Sequence, residues 1–139
     1  MNGTAKFRRL KDVGKEVYNE KGDCGVIAIA LFCDVSYGKA HAALTRAGRK
    51  KRCGTHHQHM VGAIKELRGE TLAPVMVGTT TKHCYTINKA PERVNHDRAI
   101  LLTKGHAACM IDGVVHDWTQ GRRHRVVATI TSTDMRNEA

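Results

Sequence analysis

The feature that most constrains the fold is the apolar run from Val26 to Cys33, which directly follows Asp23, Cys24 and Gly25. Since the whole run is apolar, it has to be covered on all sides, as a buried helix or a buried strand. Asp23 is a good N-cap and the alanines favour a helix, whereas the β-branched residues favour a strand. We predict a buried helix with Cys24 in its first turn. The run is too short to span a bilayer.

A chain of 139 residues suits a single domain. Along it we expect a basic, loosely structured lead-in with one short amphipathic stretch over 1–22, a helical half over 23–69, a β half over 70–131 and a tail over 132–139. Helices followed by antiparallel strands indicate an α+β domain. The helix that begins at Cys24 is expected at its centre, packed with the other helices on a C-terminal antiparallel sheet.

Two further helices are predicted after the apolar one. Ser36 is expected to be the N-cap of the first, which ends at Gly48. Thr55 is expected to cap the second, which runs from residue 57 to residue 68 and ends at Gly69.

The β half contains short apolar runs separated by turn residues. Six strands are predicted: Leu72–Val77, Cys84–Ile87, Ala99–Thr103, His106–Ile111, Val114–Trp118 and Arg125–Ile130. Asp112 and Gly113 are typical of a two-residue hairpin loop. That loop places His106 opposite Thr119, with Asp117 two residues away on the same face. Such diagonal neighbours lie about 7–8 Å apart or somewhat less, within side-chain reach.

Charge favours anionic partners. Lys and Arg number 23 against 13 Asp and Glu, which gives a net charge of +10. Such a surface suits nucleic acid, acidic proteins or another anionic polymer. The basic runs 49–52 and 122–125 are expected to be solvated loops that contact phosphates or carboxylates without reading bases. Because aromatic residues are only 4% of the chain, stacking of single-stranded bases is a poor expectation.

Residues Met1 to Val17 are basic and polar, without the apolar segment of a secretory signal. We therefore expect a cytoplasmic protein with no membrane partner. The five cysteines share no paired spacing, so reduced thiols are expected. Glycine-rich phosphate loops, helix-turn-helix spacing and paired catalytic carboxylates are lacking, which leaves nucleotide and glycoside hydrolysis without support.

Cys24, His106 and Asp117 have the residue types of a nucleophile, a base and a group that orients the base. The first turn of a helix lowers the pKa of a thiol, and Cys24 is predicted to lie in such a turn. A base must then lie within hydrogen-bond reach of the thiol and be held by a third group. The hairpin pairing allows Asp117, at an exposed or half-exposed position, to hold His106.

These segments resemble the papain-like cysteine peptidases. Asp23-Cys24-Gly25 opens an apolar helix, Gly105-His106-Ala107-Ala108 opens a strand, and Asp117-Trp118 follows. The pattern is most similar to the small bacteriocin-processing type, with its DCG motif and His…Asp pair. The resemblance implies that Cys24 is the nucleophile, His106 the base and Asp117 the orienting residue, with a peptide or protein substrate and no cofactor. The compactness and basic charge are also similar to those of small phage-encoded proteins, which implies a host cytoplasm.

The chain departs from that family at one position. There a Gln side chain six residues before the nucleophile helps to form the oxyanion hole, whereas this chain has Tyr18, followed by Asn19. We expect Asn19 to donate that hydrogen bond from a shifted loop, alongside the backbone N–H of Cys24. The alternative is a catalytically silent papain-like fold that serves as a basic binding protein for nucleic acid or a host protein.

Other cysteines and histidines have simpler readings. Cys33, Cys84 and Cys109 lie in apolar runs and are expected in the core. His41 is expected to be a buried, hydrogen-bonded histidine. A rival cluster is formed by Cys53, His56 and His59, whose spacing suits three zinc ligands, with His83 or Cys84 as a fourth. Its alternative is a polar helix N-terminus beside a substrate groove.

Overall fold

The computed structural model describes residues 4–78, 84–118 and 122–135. The described residues form an α+β fold with four longer helices followed by a five-stranded antiparallel sheet, as the sequence predicts. The longer helices are α1 (Ala5–Glu16), α2 (Cys24–Cys33), α3 (Tyr37–Arg46) and α4 (His57–Arg68). The strands are β1 (Val75–Met76), β2 (Arg98–Thr103), β3 (His106–Ile111), β4 (Val114–His116) and β5 (Ala128–Thr131). A 3-10 turn (Ile87–Lys89) and the short α5 (Ala90–Arg93) connect β1 to β2.

The apolar run is the central helix. In α2 the residues from Gly25 to Phe32 are all buried, between the other helices and one face of the sheet. Ile100 and Leu102 of β2 face this helical layer, whereas Ala99 and Leu101 face a second apolar cluster on the other side of the sheet. The sheet is therefore covered on both faces, and strand order is β1-β5-β2-β3-β4.

The β3–β4 hairpin has the register that the sequence predicts. Ile111 pairs with Val114, and Cys109 pairs with His116. Asp112 and Gly113 have φ angles of 48° and 82°, the conformation that suits a two-residue hairpin loop. Thr119, the expected partner of His106, lies outside the described residues.

The lead-in does contain the expected amphipathic stretch, but the expectation that it is otherwise loosely structured is wrong. Residues 5 to 16 form α1, which Thr4 caps by accepting a hydrogen bond from the backbone N–H of Phe7. Phe7 is buried in the core, so a narrow apolar stripe is enough to dock this polar helix. The start of the expected tail is also fixed, because Ser132 hydrogen-bonds the backbone of Arg98.

Two helix caps and several strand lengths differ from the predictions. Asp23 occupies the N-cap position of α2 without capping it by its side chain, and His56 rather than Thr55 is the N-cap of α4. β1 is only two residues long, and the segment predicted as a strand at 84–87 makes a single bridge, Thr86 to Arg125. Short edge segments are set by tertiary contacts, which local patterns do not report.

Among the described residues, no single helix has the length and apolar composition that crossing a membrane requires. In this part of the chain, only α2 and α3 counted together have the required length and composition, and the two helices are bent by 111° relative to each other.

Candidate active site

Cys24 is the first residue of α2, and a buried polar network fixes this end of the helix. The Asp23 carboxylate is fully buried and accepts hydrogen bonds from Lys11 Nζ at 2.5 Å and from the Tyr37 hydroxyl at 2.8 Å. Gly14 of α1 lies against this carboxylate, where a Cβ atom would overlap Asp23 and lie 2.6 Å from the Tyr37 hydroxyl oxygen. Asp23 therefore attaches the start of α2 to α1 and α3.

His106 is the first residue of β3. It follows the Lys104-Gly105 turn and pairs with Thr103 of β2. Gly105 has a φ of +82°, a left-handed conformation that glycine adopts without strain. The turn thus places the imidazole at the end of the sheet, where only 13% of the side chain is exposed.

Asp117 lies just beyond β4, and three donors bind its carboxylate. His106 Nε2 lies 2.7 Å from Oδ1, and the Trp118 backbone N–H donates to the same oxygen at 2.7 Å. Arg122 Nε donates to Oδ2, also at 2.7 Å. The side chain is fully buried, so the expectation of an exposed or half-exposed carboxylate is wrong. A buried carboxylate needs such donors, because ionised groups lose their hydration on burial.

The His106 side chain also interacts with the Cys24 thiol, since each group shifts the pKa of the other. Because Nε2 is bound to Asp117, Nδ1 is the ring nitrogen left for the sulfur. Burial raises the pKa of Cys24, but the hydrogen bond and positive charge of His106 outweigh burial and lower it below 9.0. Burial likewise lowers the pKa of His106, but Asp117 and Cys24 raise it to about 9. These opposite shifts describe a thiolate–imidazolium pair.

The other thiols behave differently. Burial raises the pKa of Cys109 to about 12 and that of Cys33 to about 11, so both stay protonated near neutral pH. Cys109 is fully buried, as predicted, whereas Cys33 and Cys84 are only partly buried. Within the described chain, Cys24 is therefore the one thiol that combines a lowered pKa with a hydrogen-bonded histidine.

A cavity of about 710 Å³ opens in front of Cys24 and His106. One wall comes from Gly22 and Gly25 beside the cysteine, and another from the β2–β3 turn. The third wall is the segment that leads into α4: Gly54, Thr55, His56, His57 and Gln58. Met60 and Leu102 add apolar side chains to this lining, a combination of apolar and polar groups that suits binding of a ligand.

The segment before that third wall is anchored by a buried ion pair. Arg49 is 2% exposed and its guanidinium donates to both Glu20 oxygens, at 3.0 and 3.2 Å, so the expectation of a solvated loop is wrong for Arg49. His41 Nε2 lies 2.6 Å from Glu20, which agrees with the expected hydrogen-bonded histidine. Arg49 also donates to Thr55, which contacts Gly25 next to the cysteine.

Asn19, the expected oxyanion donor, is exposed, has a φ of 51° and does not line the cavity. The neighbouring Tyr18 is partly buried instead, and its ring packs at a tilt against the rings of Tyr37 and His41. Near Cys24 the structure brings the backbone N–H groups of Gly25 and Ala107 to the sulfur. Gln58 is the lining residue that carries an amide side chain.

The rival zinc cluster of Cys53, His56 and His59 does not form. Across residues 4–78, 84–118 and 122–135, no group of three or more His, Cys, Asp or Glu side chains is placed to hold a metal ion. His59 Nδ1 accepts the His56 backbone N–H at 3.1 Å, which is a helix cap, whereas Cys53 is exposed. These histidines instead form the polar N-terminus of α4, and His56 and His57 line the cavity. His83 lies outside the described residues.

Two contacts around Cys24, His106 and Asp117 are not predicted from local sequence patterns. Arg122, expected in a solvated basic loop, binds the buried carboxylate of Asp117. Lys11 of α1 contacts a chain neighbour of Cys24 and one of Asp117. Its Nζ binds Asp23, which precedes Cys24, and lies 4.9 Å from the centre of the ring of Trp118, which follows Asp117. Neither residue has a sequence signal of its own, because each is defined by partners on distant elements.

Comparison of the chain with known protein families, with curated protein sequences and with solved structures finds no match. The description of the site therefore depends on the contacts given above. They bring together, beside one cavity, a thiol of lowered pKa, a histidine that interacts with it, and a buried carboxylate that binds this histidine.

Proposed function

We propose that the protein is a papain-like thiol hydrolase that cleaves peptide or isopeptide bonds through Cys24, His106 and Asp117. The observation that carries this proposal is that Cys24 and His106 line one cavity and interact there, while the buried Asp117 carboxylate binds the same imidazole at 2.7 Å. A histidine paired with both groups is what nucleophilic catalysis by a thiol requires. The α2 helix that begins at the cysteine and the sheet that carries the histidine support a papain-like arrangement.

In the proposed reaction, the Cys24 thiolate attacks the carbonyl carbon of the scissile amide. His106 then donates its Nδ1 proton to the leaving amine, and the C–N bond breaks to leave an acyl-thioester. Water next attacks the thioester while His106 accepts a proton, which releases the acid and restores the pair. Asp117 keeps Nε2–H oriented and stabilises the imidazolium in both steps. The reaction uses only side chains, backbone and water.

For the oxyanion, the backbone N–H of Cys24 is one donor in this proposal, and Gln58 takes the place that Asn19 was expected to fill. Gln58 lines the cavity, whereas Asn19 is exposed outside it. An amide donor of this kind contributes about 10²–10³-fold to the rate. We propose the cytoplasm as the location, because a thiol nucleophile and five free cysteines suit a reducing compartment.

The test is the rate at which iodoacetamide alkylates each cysteine near pH 7, resolved by mass spectrometry, together with digestion of unfolded protein substrates. We expect Cys24 to react at least tenfold faster than exposed Cys53, and digestion to disappear in Cys24→Ala. The matched variant Cys53→Ala should digest like the wild type. Equal alkylation of the two thiols, with no digestion that depends on Cys24, would overturn the proposal.

The second candidate is a catalytically silent protein that binds anionic partners through its basic surface. It is favoured by the position of Asn19 outside the cavity and by the net charge of +10. Salt-dependent retention on heparin that is unchanged in Cys24→Ala, with no Cys24-dependent digestion, is the result that selects it.

A further inference from the structure

The cavity in front of Cys24 has an uneven charge distribution. No Asp or Glu is among the described residues that line it, and its polar side chains belong to histidine, threonine and glutamine. Two of these histidines, His56 and His57, belong to the segment that leads into α4. The lining therefore offers hydrogen-bond donors but no carboxylate.

Three basic residues, Lys21, Arg52 and Lys104, lie within two positions of lining residues in the chain, and we term them the rim cations. Lys21 directly precedes one lining glycine, Lys104 lies between two lining residues of the β2–β3 turn, and Arg52 lies two residues before another lining glycine. All three are exposed. Across the described ranges, none of their side chains forms an ion pair.

The acids nearest to the cavity cannot balance these charges. Glu20, Asp23 and Asp117 have fully buried carboxylates, and each is paired with a cation from another element, as described above. The thiolate and the imidazolium of the site also cancel each other. A positive potential therefore remains at the mouth, and clefts lined by one sign of charge concentrate ligands of the opposite sign.

We propose that the protein selects acidic peptide segments, with Asp or Glu within a few residues of the scissile amide. An extended substrate that places its carbonyl at Cys24 passes the rim cations on either side of that bond. Carboxylates there lie within a Debye length of about 8–10 Å, so salt does not fully screen the attraction. This inference rests on the proposed function and names its substrate class.

The test uses three methanethiosulfonate reagents that differ in charge: anionic sulfonatoethyl, neutral methyl and cationic trimethylammonioethyl. The Cys24 thiolate attacks the sulfenyl sulfur, forms a mixed disulfide and releases methanesulfinate, so the chemistry is the same for all three. Rates at Cys24 are measured by mass spectrometry and divided by those of β-mercaptoethanol, which removes the intrinsic reactivity of each reagent.

We expect the normalised rate of the anionic reagent at Cys24, divided by that of the cationic reagent, to be about 10 at low salt. This ratio should fall towards one at high salt. Lys104→Glu and Lys21→Glu should each lower the ratio severalfold. Lys39→Glu makes the same change of charge at an exposed position of α3 and should leave the ratio nearly unchanged. The neutral reagent reports thiol reactivity alone, so a slow neutral rate contradicts the proposed function. A fast neutral rate with a ratio near one contradicts only the preference for acidic segments.

Discussion

Arg122 Nε lies 2.7 Å from the Asp117 oxygen that His106 does not use, so one buried carboxylate holds two cationic side chains at once. This sharing fixes the plane of the carboxylate, and with it the direction of the hydrogen bond to the imidazole. Burial raises the pKa of Asp117, but His106, the Trp118 N–H and Arg122 outweigh burial and lower it. Asp117 is therefore ionised wherever His106 is needed as an imidazolium.

The first prediction concerns Asp117→Asn. The amide keeps the shape but removes the charge that raises the pKa of His106, so the pKa of His106 should fall and that of Cys24 should rise. Each unit of rise in the thiol pKa lowers the thiolate fraction at neutral pH about tenfold. Iodoacetamide alkylation of Cys24 as a function of pH measures this shift.

The same substitution should also destabilise the fold, because Arg122 loses the charge of its partner in a buried site. We expect the free energy of unfolding to fall by about 3 kcal/mol, the scale for breaking a buried ion pair. His116→Ala is the neighbouring control. It removes the 2.7 Å hydrogen bond to Thr4 but none of the contacts of Asp117, so thiol reactivity should be unchanged. Equal alkylation profiles in the two variants would contradict a role for Asp117.

The second prediction is the pH profile of hydrolysis. The thiolate forms as the pH rises through the lowered pKa of Cys24, below 9.0, and the imidazolium is lost as the pH rises through about 9. The rate kcat/KM should thus rise with pH through the lowered pKa of Cys24, reach its maximum below about pH 9 and fall above it. His106→Gln should abolish the profile. A rate that keeps rising beyond pH 10 would mean that protonated His106 is not used.

The elements that the sequence predicts best are those with strong local signals. The all-apolar run becomes α2, and Asp112-Gly113 sets the hairpin pairing that brings Asp117 near His106. Helix α1 lacks such signals, since only a narrow stripe around Phe7 reaches the core, and it was therefore expected to be loosely structured.

Burial of polar side chains is the part that local patterns miss. Glu20 and Arg49 are 29 residues apart, and each is polar enough to indicate a surface position until the fold brings them together. The same holds for Arg122, whose basic neighbours are typical of a solvated loop. Asn19 was expected at the oxyanion hole from its sequence position alone, whereas the path of the chain before Asp23 leaves it exposed.

The third prediction concerns the Glu20–Arg49 pair. Burial raises the pKa of Glu20, but hydrogen bonds from Arg49 and His41 lower it to about 2, against an ordinary value of 4.5. A folded pKa below the unfolded value means that the carboxylate stabilises the fold fully above about pH 4.5. That contribution, about 3 kcal/mol, is lost as the pH falls towards 2.

Glu20→Gln should therefore lower the free energy of unfolding at pH 7 by several kcal/mol and flatten its pH dependence between about 4.5 and 2. Urea unfolding at a series of pH values measures both effects. Glu66→Gln removes an exposed pair with Arg46 and should produce no resolvable change. An unchanged acid limb in Glu20→Gln would show that the acid sensitivity of the fold arises elsewhere.

The last prediction concerns Gly14, where the usual effect of a helical glycine should be reversed. Replacing a glycine inside a helix by alanine ordinarily stabilises it by about 1 kcal/mol. At Gly14, however, the added methyl group overlaps the Asp23 carboxylate and lies 2.6 Å from the Tyr37 hydroxyl. The bonds that hold the start of α2 must then shift, which typically costs about 1–3 kcal/mol.

Gly14→Ala should accordingly lower the melting temperature, and it should also slow alkylation of Cys24, because Asp23 directly precedes the thiol. Lys15→Ala, at the next and exposed position of α1, adds the same helix-favouring residue without touching the network. It should keep both the stability and the thiol reactivity of the wild type. Thermal unfolding and iodoacetamide rates, measured side by side, compare the two variants. If Gly14→Ala melts at or above the temperature of Lys15→Ala, the close contact between α1 and Asp23 does not position the cysteine.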